Sequence, residues 1–233
     1  KLTSIAELYS FVYWLRNNDS SNENEMKPLM IALALSQFLW STHYDMYSSF
    51  SRCIKENKSA ISSYLEVGPG HGLFLKNAIE ILNSKVKFTV IDISDIAMNI
   101  TKSIIEYFFY GLKTNIKYLV KDMLKLDTNQ KYDFINMGEV LEHVNNPKSL
   151  VEKFQSLLSY KGRGFLSTCV NCPTTDHVYH FHSINEIREM INSSNLRICK
   201  ELVLPTENIP MNEIIKNKIT INYCAIVEVN KNE

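Results

Sequence analysis

Apolar residues in this chain follow two spacings, and the switches between them predict the elements. Over residues 3–16, Ile5, Leu8, Val12 and Leu15 recur at helical spacing beside Tyr9 and Trp14, with Thr3 or Ser4 placed to cap the start. Residues 17–25 carry no apolar side chain and predict an exposed loop. A second helix runs from Pro28, a residue suited to a first turn, through Leu29, Ile31, Leu33, Leu35, Phe38 and Leu39, and a third covers about 45–58. Short apolar runs then alternate with amphipathic ones. Strands are predicted at 64–67, 86–91, 116–120, 132–137 and 164–168, and helices at 73–82, 96–110, 147–159 and 183–194. The last of these helices opens on Ser183 with Glu186 three residues later, a capping box. Two final strands, 196–204 and 219–229, have no convincing helix between them and are expected to pair antiparallel.

This βαβ alternation predicts an α/β fold: a doubly wound, mostly parallel seven-stranded sheet with an antiparallel last strand and helices on both faces. Residues 1–60 are expected to form a helical cap acting as a substrate lid, and 61–233 the sheet domain. The cap is rich in rings (Tyr9, Phe11, Tyr13, Trp14, Phe38, Trp40, Tyr44, Tyr47, Phe50), most of them expected in a core and some lining a pocket. At 233 residues the chain suits one α/β domain with an appendage. No apolar run approaches the roughly 20 residues that cross a bilayer, so no membrane partner is expected. Twenty-five basic and 25 acidic side chains balance, which disfavours nucleic acid. Five scattered cysteines (Cys53, Cys169, Cys172, Cys199, Cys224) read as reduced thiols and a cytoplasmic location. The start, Lys-Leu-Thr, has neither a signal core nor an initiator Met, as expected where a tag or a few residues have been removed.

The chemistry concentrates where strands end. Gly68, Gly70 and Gly72 follow the first strand directly, and glycines so spaced let a ligand lie against the main chain at a helix N-terminus. A phosphate loop, a dinucleotide turn and an ordinary tight turn all fit that alone. In an open parallel sheet ligands bind outside the carboxyl ends of the strands, so the later ends decide. Asp92 ends the second strand 20 residues beyond Gly72, the spacing at which a carboxylate accepts both ribose hydroxyls. Asp122 follows the third and could accept from an adenine amine. Glu66, just ahead of the turn, is expected to set a negative charge beside the ligand, repelling a pyrophosphate and suiting an ammonium or sulfonium.

Glu66-x-Gly68-x-Gly70-x-Gly72, Asp92, Lys121-Asp122, Tyr132-Asp-Phe-Ile-Asn-Met-Gly-Glu-Val-Leu-Glu-His143 and Leu158-Ser-Tyr-Lys-Gly-Arg-Gly164 resemble, in order and spacing, the signature segments of the class I (Rossmann-like) S-adenosylmethionine-dependent methyltransferases. The likeness covers roughly residues 62–204 and points to the ubiquinone-type and natural-product branch. It implies that the three glycines pass beneath the methionine part, that Asp92 and the adjoining Ile93 bind the ribose end, that Asp122 and Met123 hold adenine, and that Glu139 lies near the cofactor. It also implies methyl transfer to an oxygen or nitrogen of a small acceptor, leaving S-adenosylhomocysteine, and the aromatic N-terminal section suggests that this acceptor is apolar or aromatic. The oligomeric state stays open, a homodimer included.

Methyl transfer needs a base only when the acceptor must lose a proton. His143 lies five residues beyond the fourth strand, either as a helix-entry residue bonded to backbone or as a site residue. The block Asn171-Cys-Pro-Thr-Thr-Asp-His-Val-Tyr-His-Phe-His182 resembles an Asn-x-Pro-x-x-Asp-His element facing the acceptor in some small-molecule methyltransferases. His177 or His180 is the expected general base, with Asp176 as its orienter or as an acceptor-binding group. Cys169 and Cys172 ahead of His177, His180 and His182 suggest zinc, yet the histidine turns would have to fold back on the strand end, so an inert Cys-x-x-Cys and no metal are expected. Competing readings are a nicotinamide oxidoreductase, opposed by Glu66 and by the lack of a Tyr-x-x-x-Lys pair, a non-catalytic adenosylmethionine-binding protein, and an RNA or protein methyltransferase.

Overall fold

The computed structural model describes residues 26–83, 85–111 and 115–230, with side chains from Met30 onward. The helix expected over 3–16, its aromatic residues and the polar loop 17–25 lie outside the described residues. Two helices come first, α1 (Met26–Leu39) and α2 (Ser41–Asn57). The alternating part follows: β1 (Ser63–Val67), α3 (Leu73–Leu82), β2 (Lys87–Asp92), α4 (Asp95–Phe108), β3 (Ile116–Val120), β4 (Tyr132–Gly138), α5 (Pro147–Leu157) and β5 (Leu158–Val170). It closes with α6 (Ile184–Ser193), β6 (Leu196–Pro205), α7 (Met211–Lys216) and β7 (Ile221–Val229).

The strands form one sheet in the order β3-β2-β1-β4-β5-β7-β6. β1 to β5 pair in parallel and β7 runs antiparallel to both β5 and β6, as the sequence predicts. The order reverses at β1, between β2 and β4, which opens a crevice at the carboxyl ends of these strands.

Alternation along each strand divides the core. Leu65, Val67, Ile91, Ile135 and Met137 face one side, beneath Leu150, Val151 and Phe154 of α5 and Ile187 and Ile191 of α6. Tyr64, Phe88, Val90, Phe134 and Phe165 face the other, beneath α2, α3 and α4. On that side Phe50 of α2 meets Phe74, Phe134 and Phe165 edge-on, with ring centroids 4.9, 6.1 and 5.4 Å away. The cap expected over 1–60 is therefore divided: α2 is a cover of the sheet itself, and within the described residues only α1 lies outside it. Met30 and Ala34 of α1 pack on Leu73, Ile100 and Ile104.

The elements differ most from the sequence reading at three places. α2 starts at Ser41 rather than near 45, because Thr42, His43 and Met46 already lie on its buried stripe. β5 starts at Leu158, where a buried leucine pairs with Tyr132 across a register shift, so the preceding helix stops at Leu157. α7, unexpected, is six residues long with Ile214 as its buried residue, too short to show a helical period.

Candidate active site

The glycine turn is built as the sequence suggests. Gly68, Gly70 and Gly72 hold φ of 61°, 50° and 68°, and Gly72 caps α3. A Cβ on Gly68 would stand 2.6 Å from Val140 Cγ2, so the turn and the segment after β4 touch with no room for a side chain. Beside Gly70 the nearest atom to such a Cβ is Met30 Sδ at 3.9 Å, which leaves this stretch of backbone open for a ligand. Thr101 of α4 donates to the Gly70 carbonyl at 3.0 Å and fixes the loop from behind.

The next strand ends bring the expected carboxylates to the same edge. Asp92, the last residue of β2, accepts from the Ser94 N–H at 2.8 Å, and burial holds its carboxyl above the usual range. Ile93 follows with its side chain 76% exposed, a flat apolar surface beside that carboxylate. Asp122 accepts from the Leu124 N–H at 2.9 Å and caps a 3-10 turn, Met123–Lys125. Met123 does not face this edge: its side chain is buried in the core under α5, and Leu124 is the exposed apolar residue there.

Glu66 also departs from the reading. It shares the face of Tyr64, so alternation drives it under α2 and α3, where Tyr64 O–H and Asn136 Nδ2 both donate to it, the latter at 2.7 Å. Burial pushes its carboxyl up to about 8, against the lowering effect of those two donors. It is a buried strut inside the sheet, and the carboxylate expected beside the ligand is turned away under the helices.

Glu139 follows β4 in a left-handed conformation, φ 52°, rare for a residue with a side chain. Its N–H reaches the carbonyl and hydroxyl of Ser167 at 3.1 and 3.2 Å. Glu142, on the 3-10 turn Leu141–His143, is buried and accepts from Thr168 Oγ1 at 2.8 Å. Burial raises both carboxyls, and the Glu142 charge raises Glu139 further.

The four residues expected to carry catalysis come together here. His143 Nδ1–H donates to the Asp176 carbonyl at 2.9 Å, with the Asp176 carboxylate 3.8 Å away, leaving Nε2 as a free acceptor. His177 Nδ1–H donates to the Cys172 carbonyl at 2.7 Å. The His177 ring meets His143 edge-on at 5.1 Å and lies 6.5 Å from His180. Burial lowers His177, against the raising effect of its bond to the Cys172 carbonyl. Asp176 thus orients His143 rather than the two histidines after it. His182, in contrast, serves the fold: its N–H donates to Glu186, which also accepts from Tyr179. Ser183 caps α6 through the Glu186 N–H, half of the expected capping box.

The loop carrying these residues is pinned by the Val178 and Tyr179 N–H groups, which both donate to the Glu142 carbonyl at 2.8 and 2.9 Å. That fold-back, judged unfavourable from the sequence, sets His177 Nδ1 3.9 Å from Cys169 Sγ. The Cys169 thiol donates to Cys172, which raises Cys169 and lowers Cys172.

A polar cluster behind the glycine turn escaped the sequence reading. His71 Nδ1 accepts from the Leu73 N–H at 3.2 Å, and burial brings its ring down to about 4. His43 Nδ1 lies 2.7 Å from Ser36 Oγ, and buried Gln37 leaves its Oε1 without a partner. His43 sits on the same buried stripe as Met46, Phe50 and Cys53, a spacing legible in the sequence. A surface depression of about 520 Å³ lies at the amino end of β1 between Lys55, Ser62 and Leu82, away from all of these groups.

A family model described as a methyltransferase domain matches residues 40–200. Malonyl-[acyl-carrier protein] O-methyltransferase 2 of Ilyobacter polytropus is 29% identical over 132 residues, 54% of this chain and 49% of that protein, so the match spans about half its length. The N-methyltransferase NodS of Bradyrhizobium japonicum WM9, solved with S-adenosylhomocysteine, superposes with a TM-score of 0.62 at 15% identity, covering 97% of this chain and 98% of that one. The O-methyltransferase of a trans-AT polyketide multienzyme of Brevibacillus brevis, also solved with S-adenosylhomocysteine, gives 0.64 at 17% identity, covering 88% and 78%. At such identities the two structures establish a shared fold.

Proposed function

Because the chain belongs to the methyltransferase-domain family, whose model spans residues 40–200, we propose that it transfers the methyl group of S-adenosylmethionine to an oxygen or nitrogen of a small molecule. One observation carries this. The glycine turn, Asp92 and Asp122 share the edge at the switch point with the group formed by Glu139, His143, Asp176, His177 and His180. The open backbone at Gly70 fits the cofactor's amino-acid end, and exposed Ile93 between Asp92 and Asp122 fits a nucleoside.

The cofactor supplies a methyl group already attached to a good leaving group. What the chain contributes is alignment and exclusion of water, worth up to roughly 7–11 kcal/mol in favourable cases. His143, with Nδ1 fixed on Asp176 and Nε2 free, takes the acceptor's proton, and exposed His180 binds the acceptor beside it. Asp92 holds the ribose hydroxyls, Asp122 meets the adenine amine, and Glu139 borders the cofactor. α1 acts as the lid: Met30 packs on Leu73 just after the glycine turn, and exposed Leu39 and Trp40 at its end, with Tyr44 on the first turn of α2, offer apolar surface suited to an apolar or aromatic acceptor. The names of the Ilyobacter relative and the Brevibacillus neighbour make oxygen the first acceptor atom to test.

The test supplies S-adenosylmethionine carrying a labelled methyl group together with small carboxylic acids, phenols and amines. Label in at least one acceptor, lost in His143→Ala, is expected. Binding of S-adenosylhomocysteine with no transfer to any acceptor would favour the non-catalytic reading.

A further inference from the structure

Cys169 and Cys172 have no role in the methyl transfer just described and His177 only flanks the proposed base, yet the ligand atoms of all three lie within 4.8 Å of one another. Two further groups of the same compactness overlap this one, Glu142 with His143 and His177, and Glu139 with Glu142 and Cys169. Glu142 is thus close to both Cys169 and His177. We propose that Cys169, Cys172, His177 and Glu142 form a site for a soft divalent cation of the zinc type, closing the loop 171–182 onto the end of β5.

The donor set suits such an ion: thiolates and imidazole prefer zinc over magnesium or calcium, and four ligands of this kind make a closed tetrahedral site. The separation of Cys169 Sγ from His177 Nδ1, 3.9 Å, is near the roughly 3.5 Å between a sulfur and a nitrogen on one tetrahedral zinc. Little has to move. The backbone brings the ligands together by itself, through the left-handed turn at Asn171 and the two N–H bonds onto the Glu142 carbonyl. Glu142 is already oriented by Thr168, the kind of outer hydrogen bond that fixes a metal-binding carboxylate. An independent observation points the same way: Glu139 Oε1 is buried beside these groups with no hydrogen-bond donor, and a neighbouring cation would compensate it. Cys172 is half-buried, which gives the ion a way in.

This site does not depend on the methyltransferase reading, and the experiment keeps the two apart. The chain, without a polyhistidine tag and under a reducing agent, is incubated with zinc, dialysed against metal-free buffer and measured by plasma mass spectrometry. Cobalt(II) is titrated in parallel to follow sulfur-to-metal charge-transfer absorption. About one zinc per chain and a cobalt–thiolate band are expected, with affinity at least about tenfold weaker in Cys172→Ser. Cys199→Ser, at an exposed cysteine on β6, should keep both signals. His143→Ala should keep the metal while losing methyl transfer. Wild type holding less than about a tenth of an equivalent with no cobalt band would overturn the site. So would unchanged stoichiometry in a Cys169→Ser/Cys172→Ser variant whose cooperative thermal unfolding shows that it is folded.

Discussion

The ends of β1, β2 and β3 and the ends of β4 and β5 stand side by side on one edge of the sheet and are built from different materials. The first half is mostly backbone: three glycines at positive φ, carbonyls tied down by Thr101, and two carboxylates each fixed by one N–H group. The second half is side chains that can change protonation, Glu139, Glu142, His143, Cys172, Asp176 and His177, gathered within a few ångströms. A rigid, sparsely titrating half suits a ligand that is always the same. A half rich in acids, bases and thiols suits the variable partner and its proton.

If the halves are separable, substitutions should divide cleanly between them. The largest effect is expected for His143→Ala: a fall in kcat of roughly 10²–10⁴-fold, the usual contribution of general acid–base catalysis, with S-adenosylhomocysteine affinity unchanged by calorimetry. Asp92→Ala should do the reverse, weakening S-adenosylhomocysteine about 100-fold by removing two charge-assisted hydrogen bonds while leaving the His143–Asp176 pair intact. Equal loss of cofactor binding in both variants would erase the distinction. Gly68→Ala tests where the halves touch, because its methyl would meet Val140 at positive φ. A loss of about 1–3 kcal/mol in chemical unfolding is expected, with weakened cofactor binding.

The smallest effect concerns Glu66, the one carboxyl of the first half that does not face the ligand. Its folded pKa is raised to about 8, so the native state holds the proton more tightly than the unfolded chain. Its stabilising contribution is fully present below the ordinary glutamate range and is lost as pH rises towards 8. Glu66→Gln keeps the shape, offers an amide N–H that the unpartnered Asn136 Oδ1 can accept once its amide turns over, and should flatten the dependence of Tm on pH in that window. An unchanged pH slope would show that Glu66 is ionised in the folded protein.

The two halves also differed in how far the sequence disclosed them. Strand-ending Asp92 and Asp122 and the glycines were legible because their roles follow from spacing along the chain and from what glycine alone permits. Glu66 was misjudged for want of strand alternation: two residues after Tyr64 it must share that ring's buried side. Met123 was assigned to the edge by its position after Asp122, although apolar packing under α5 claims it. In the second half the residues named from the sequence do cluster, but their pairing differs from the one expected. That Asp176 serves His143, 33 residues earlier, depends on the loop folding back onto the Glu142 carbonyl, a long-range contact with no periodic signal. α2 shows the same limit, since its helical period is plain while its place against Phe134 and Phe165 is set by the sheet.

A crystal structure of the chain with S-adenosylhomocysteine bound tests the division most directly. The ribose hydroxyls should lie on Asp92, the adenine over Ile93 beside Asp122, and the sulfur should open towards His143 Nε2 and His180. A cofactor seated on the glycine turn whose sulfur faces away from the loop 171–182 would contradict it.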